Sequence, residues 1–156
     1  MENRILIAVS QSPIFKNVEI LDLQELLGSF IPTIKEYKKN EIIKAQGTKL
    51  EELIIVLDGK LKARMDSADG KSIGMEEFSP YMSVAISILF SPKKILPVTL
   101  FTVENSEIFC MSIDSIIKCG MQNRQIFQNI LCNMSERVSF LSNKIKFLQL
   151  STIRQK

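Results

Sequence analysis

Between Ile34 and Ile113 the apolar residues come in runs too short for helices, and turn signals separate them. Leu53-Ile54-Ile55-Val56-Leu57 reads as a buried strand. Asp58-Gly59 follows as a hairpin signal, because this pair supplies the positive φ angles of a tight turn. Leu61, Ala63 and Met65 then alternate with Lys60, Lys62 and Arg64, the pattern of a half-exposed strand. Asp69-Gly70 predicts a second hairpin into a strand over Ser72–Phe78. Ile34, Tyr37, Ile42, Ile43 and Ala45 lie in short extended runs before the Gln46-Gly47-Thr48 turn. Pro97–Val103 and Ser106–Ile113 read as two more strands joined at Glu104-Asn105. Many short strands with tight turns specify a mainly β fold, an antiparallel jelly-roll barrel with flanking helices, and exclude a parallel α/β sheet.

Helical patterning flanks this region. Ser12-Pro13 is expected to open a short helical segment. A second helix is expected over Val18 to Phe30, with Ile20, Leu21, Leu23, Leu26 and Leu27 on a broad apolar face. From about Gln122 the period becomes helical again. Phe127, Leu131, Met134, Val138, Leu141, Ile145 and Leu148 follow one another at spacings of four and three, an a/d ladder. A helix of roughly 28 residues is ~42 Å long, more than a small barrel needs to cover itself. The ladder therefore predicts a parallel homodimeric coiled coil, with Ile130 and Phe140 among the flanking positions that pack on the barrel. A helix that packs only on its own domain is the alternative.

Composition removes several functions. The 156 residues are 46% hydrophobic, enough for a globular core. The net charge of +3 is too mild to imply nucleic-acid binding by this segment alone. There is no histidine, which excludes His-ligated haem or zinc and His-dependent nucleophilic catalysis. Cys110, Cys119 and Cys132 are odd in number and set in apolar runs, so they read as buried free thiols. No glycine-rich phosphate loop, paired-carboxylate motif or nucleophile constellation is present, so neither an enzyme nor a cofactor or metal site is expected. On a strand, the adjacent Glu76 and Glu77 face opposite sides. Ile5-Leu6-Ile7-Ala8-Val9 is too short for a signal-peptide core or a membrane span, and the chain reads as soluble and cytoplasmic.

The stretch Phe78 to Glu107 resembles the phosphate-binding cassette of cyclic-nucleotide-binding domains. Helices, a barrel of short strands, this cassette and a long helix, in that order, resemble the effector domain of the Crp/Fnr family of bacterial transcription regulators. The pieces that carry the resemblance are Lys39-Asn40-Glu41-Ile42-Ile43, Gly47, Leu57-Asp58-Gly59-Lys60-Leu61, Asp69-Gly70-Lys71 and the Val103-Glu104-Asn105-Ser106-Glu107-Ile108 hairpin. The resemblance implies a barrel domain with N-terminal helices over 1–120 and a dimerisation helix over 121–150. It also implies a linker beginning at 151–156 towards a DNA-binding helix-turn-helix domain outside this chain, so that the sequence is expected to be part of a longer regulator.

In that family a glycine and a glutamate begin the cassette helix, and an arginine with a small polar residue follows the loop. The matching positions here are Ala85, Ile86, Leu96 and Pro97. All four changes remove polar function or backbone access, and Pro97 has no N–H to offer. Cyclic nucleotide is therefore not expected as the ligand, because an unpaired phosphate in an apolar pocket is strongly disfavoured. Lys93 and Lys94 are expected in a solvated turn. Two readings of the pocket stay open. Ile86, Leu89, Leu96 and Val98 are plain core in a closed barrel, or a cavity survives beside Ala85, Ile86, Leu96, Pro97 and Val98 for an apolar small-molecule effector. Met65, Met75, Met82 and Met111 would suit such a cavity. By the resemblance, Ser139 or Ser142 falls where a partner's long helix reaches the ligand. With a filled pocket, control would fall to the regulator's abundance or to a protein partner.

Overall fold

A computed structural model describes residues 2–154, and the side chains of these except Ile73, Met75 and 144–154. The ladder positions Ile145 and Leu148, the candidate Met75 and the terminal Gln155 and Lys156 therefore lie outside the described side chains.

The chain opens with α1 (Asn3–Ser10), which buries Ile5, Leu6 and Val9 on one face. This corrects the expectation of a helical segment opening at Ser12-Pro13. The apolar run before Ser12 forms the helix, and the residues after Pro13 form turns that insert Ile14 and Phe15, both fully buried. Helix α2 (Ile20–Ser29) buries Leu23 and Leu27, one turn apart, while Leu21 is 75% exposed. The buried stripe is thus narrower than the apolar face read from the sequence. The helix stops short of Pro32, whose ring biases the preceding residue to extended backbone.

Eight strands follow in two four-stranded sheets. They are β1 (Thr33–Tyr37), β2 (Ile42–Lys44), β3 (Glu52–Asp58), β4 (Leu61–Asp66), β5 (Ser72–Phe78), β6 (Ser83–Val84), β7 (Thr99–Thr102) and β8 (Ser106–Ser112). The sheet orders are β1-β8-β3-β6 and β2-β7-β4-β5, and every pairing is antiparallel. The expected jelly roll is present as two facing sheets sharing one core. Five consecutive residues of β3, Leu53 to Leu57, are buried. Helix α1 packs on this strand, as do α3 (Ile86–Leu89) and α4 (Ile113–Gln122), so the run is apolar throughout rather than alternating. In β4 the predicted alternation appears, with Leu61 and Ala63 inside and Lys62 and Arg64 partly exposed.

Two of the expected hairpins are something else. Asp69-Gly70 does join the paired strands β4 and β5. Asp58-Gly59, however, joins β3 to β4, which lie in opposite sheets, and Glu104-Asn105 joins β7 to β8 in the same way. Both turns are corners where the chain changes sheet, and they pack on each other. The Lys60 N–H donates to Ser106 Oγ at 3.2 Å, and the Val103 N–H to the Lys60 carbonyl at 3.0 Å. Gly59 has φ +82°, and a Cβ there would overlap the Asn105 carbonyl oxygen and the Ser106 hydroxyl.

The long helix α5 (Arg124–Arg154) begins at Asn123, whose Oδ1 accepts from the N–H groups of Gln125 and Ile126 at 2.9 and 3.2 Å. Ile126 and Ile130 are buried against the domain, and Asn129 Nδ2 donates to the carbonyls of Ile14 and Lys16 at 3.0 and 2.8 Å. The start of α5 is thus fixed on the sandwich by one face.

Candidate functional site

A cavity of about 470 Å³ lies between the second sheet, α3 and the middle of α5. Its floor is Ala63 of β4, Phe78 of β5 and Leu100 of β7. One side is the cassette, from Met82 through Ile88 and from Leu96 to Val98. Helix α5 closes the other side with Asn133, Glu136, Arg137, Phe140 and Leu141.

The cassette backbone explains part of this wall. Ala85 caps α3 in the left-handed region, at φ 51° and ψ 34°, a conformation glycine adopts without steric cost. Its carbonyl accepts from the Ile88 and Leu89 N–H groups at 2.9 and 3.1 Å. The turn therefore keeps the geometry of a glycine turn while presenting a methyl group. Ile86 follows, 5% exposed, at the position where the resemblance implied a carboxylate. Leu96 is 1% exposed and is held by backbone bonds to Gly47 and Thr48 at 2.8 and 2.9 Å.

Of the candidate pocket residues, Ala85, Ile86, Leu96, Pro97 and Val98 all line the cavity, whereas Ser142 and Ser139 are exposed on α5 and do not. Leu89 is fully buried core. Among the candidate methionines, Met82 lines the space, Met111 is buried core on β8, and Met65 is half-buried away from it. Lys93 and Lys94 do not line it. The Lys94 N–H donates to Ser91 Oγ at 3.0 Å, within the expected turn.

The polar part of the cavity was missed by the sequence reading. Arg137 Nη1 and Nη2 donate to the two carboxylate oxygens of Glu76, each at 2.6 Å, so a bidentate ion pair ties α5 to β5 across the cavity. The same guanidinium sits 5.8 Å from the centre of the Phe140 ring. Two signals pointed here. Strand parity puts Glu76 and Phe78 on one side of β5, opposite Glu77, which pairs with Lys62 instead. Helical spacing puts Asn133 and Arg137 on the stripe of Ile126 and Ile130.

The predicted interface residues form a neighbouring stripe on α5. Phe127, Leu131, Val138 and Leu141 are 52, 49, 63 and 46% exposed, and Met134 is half-buried on the core. Leu141 belongs to both stripes, since it also lines the cavity.

Burial pushes the thiols of Cys110 and Cys119 up to about 11, whereas Cys132 is exposed. Of the expected buried thiols, Cys132 is the exception, because it lies on the outer face of α5. A thiol-reactive aromatic disulfide at neutral pH is expected to modify one thiol per chain quickly and the other two only after unfolding. Two fast-reacting thiols would contradict the packing of β8 and α4. Among the described residues no group of three His, Cys, Asp or Glu could hold a metal ion, and no helix is long and apolar enough to cross a membrane.

A family model described as the cyclic nucleotide-binding domain matches residues 34–123. Among solved structures, a transcriptional regulator from Thermotoga maritima is 29% identical with a TM-score of 0.73, over 81% of this chain and 96% of that one. The sensor domain of the transcriptional regulator DNR from Pseudomonas aeruginosa is 19% identical with a TM-score of 0.76, over 92% of this chain and 95% of that one. The catabolite activator protein of Thermus thermophilus is 16% identical with a TM-score of 0.77. That likeness covers 88% of this chain and 63% of the activator, so the chain spans less than two thirds of it. The likeness to the last two is one of fold. No curated protein sequence matches the chain.

Proposed function

The chain belongs to the cyclic nucleotide-binding domain family, and from that membership we propose that it is the sensor and dimerisation region of a Crp/Fnr-type transcription regulator whose cavity takes a mainly apolar small molecule in place of a cyclic nucleotide. The observation that carries this reading is the cavity itself. About 470 Å³ remains open at the cassette, within the range of small-molecule sites, yet Ala85, Ile86, Leu96 and Pro97 give it an apolar wall. A filled interior, the alternative in which abundance or a protein partner controls the regulator, is less well supported by that volume. A phosphate entering here would lose its water and meet no unpaired cation among the described lining residues.

Helix α5 supplies the link from site to output in this proposal. Asn133, Arg137, Phe140 and Leu141 face the cavity, while Phe127, Leu131 and Val138 form the stripe through which two chains would pair. These stripes lie about 100° apart around one rigid helix, so displacing one moves the other. A ligand that binds one position of α5 more tightly than another would shift the population of the dimer between two arrangements. DNA would be contacted by a domain following α5, as in the regulators the chain resembles.

Isothermal calorimetry with cyclic AMP tests the ligand claim. No heat of binding is expected up to millimolar nucleotide. Micromolar affinity would overturn the reading of the cassette.

A further inference from the structure

The charges on the cavity wall do not balance. Among the described lining residues Glu76 and Glu136 are carboxylates, and Arg137 is the one cation. That cation is already committed to Glu76 through two bonds of 2.6 Å. Glu136, one residue earlier on α5, stands exposed at the rim with no ion-pair partner among the described residues.

Resting on the reading that this cavity is a ligand site, we propose that its occupant is an apolar molecule bearing a single ammonium-type cation, held by Glu136. An anion would have to take Arg137 from Glu76, leaving two carboxylates and the newcomer against one guanidinium. A cation leaves the Arg137 pair in place and neutralises Glu136. The guanidinium repels an ammonium placed beside it, so Glu136 carries the main contact. The apolar body of the ligand fits the remaining wall, where Phe78, Ile86, Leu96 and Phe140 offer ring and branched surfaces. An ion pair at a partly exposed rim adds modestly to affinity, so the apolar body supplies most of the binding and the charge supplies the selectivity.

Three probes with one apolar body separate these contributions: phenylbutylamine, phenylbutanol and phenylbutyrate, titrated calorimetrically into the full chain and into its Glu136→Gln variant. The amine is expected to bind about fivefold more tightly than the alcohol, and the carboxylate about fivefold more weakly. Glu136→Gln is expected to erase the advantage of the amine over the alcohol while the alcohol still binds, a result that a merely unfolded variant would not give. If the alcohol binds and the amine gains nothing, or keeps its gain in the variant, the charge assignment fails while the cavity stands as a ligand site. A carboxylate that binds tightest also overturns the assignment. If none of the three binds, both the assignment and the ligand-site reading fail.

Discussion

The Leu131→Glu/Val138→Glu double variant is expected to sediment as a monomer at micromolar concentrations where the parent chain sediments as a dimer. The two side chains are 49% and 63% exposed on the single chain, and neither lines the cavity. Burying a Leu or Val side chain is worth about 1.5–3 kcal/mol. Both are already about half-buried on the single chain, and a two-fold interface counts each position twice, so the variant forfeits roughly 3–6 kcal/mol before any repulsion between the new carboxylates. Even the lower figure is more than a hundredfold in dissociation constant. Glutamate is a good helix former, so α5 itself should persist. The monomer's melting temperature in isolation then reports on folding separately from association. A double variant that remains dimeric would place the interface elsewhere. Leu141 is a poorer choice for this test, because it also faces the cavity and its loss would mix the two functions.

Gly59→Ala is expected to cost roughly 2–5 kcal/mol, the sum of a left-handed backbone penalty and an overpacked contact. Gly70→Ala, at a similar angle, should cost only about 1–2 kcal/mol. The φ values are +82° and +80°, so the backbone term is the same in both. What differs is space. At Gly70 nothing lies within 4 Å of an added Cβ, whereas at Gly59 it meets Asn105 and lies 2.7 Å from Ser106 Cα. Those neighbours are backbone of the other corner and cannot swing away. Urea midpoints of the two variants measure the difference directly. Equal losses would mean that the corners where β3 passes to β4 and β7 to β8 are not packed together as described.

The same corners show how far the sequence was legible. Asp58-Gly59 announced a tight turn, and Gly59 does take a positive φ. A tight turn fixes where the chain reverses but not which sheet receives the next strand. That choice depends on Ser106 and Lys60 meeting across 46 residues of chain. Asp69-Gly70 was read correctly because its two strands pair with each other, so local signal and outcome coincide. The strand Ser72–Phe78 has its expected bounds for the same reason.

The site divides in a similar way. The cassette side could be read because Ala85, Ile86, Leu96 and Pro97 fall where a known pattern would carry polar groups. The α5 side carried no such guide. Reading α5 as one ladder put Leu141 at the interface alone and left Arg137 unremarked, although the stripe of Ile126, Ile130, Asn133 and Arg137 was present in the spacing. Ser142 was chosen through the resemblance and is exposed on its own chain. Glu76 and Arg137 are 61 residues apart; strand parity and helical spacing turn each of them inward, but neither signal announces the bidentate pair that joins them.

The central claim is that an open cavity with an apolar wall lies between α3 and α5 and takes a small molecule. A crystal of the chain soaked with phenylbutanol tests it most directly. The expected result is density for the phenyl ring beside Ile86, Leu96 and Phe140, with the Arg137–Glu76 pair intact. Side chains of α3 and α5 filling that space, with no probe density between them, would contradict it.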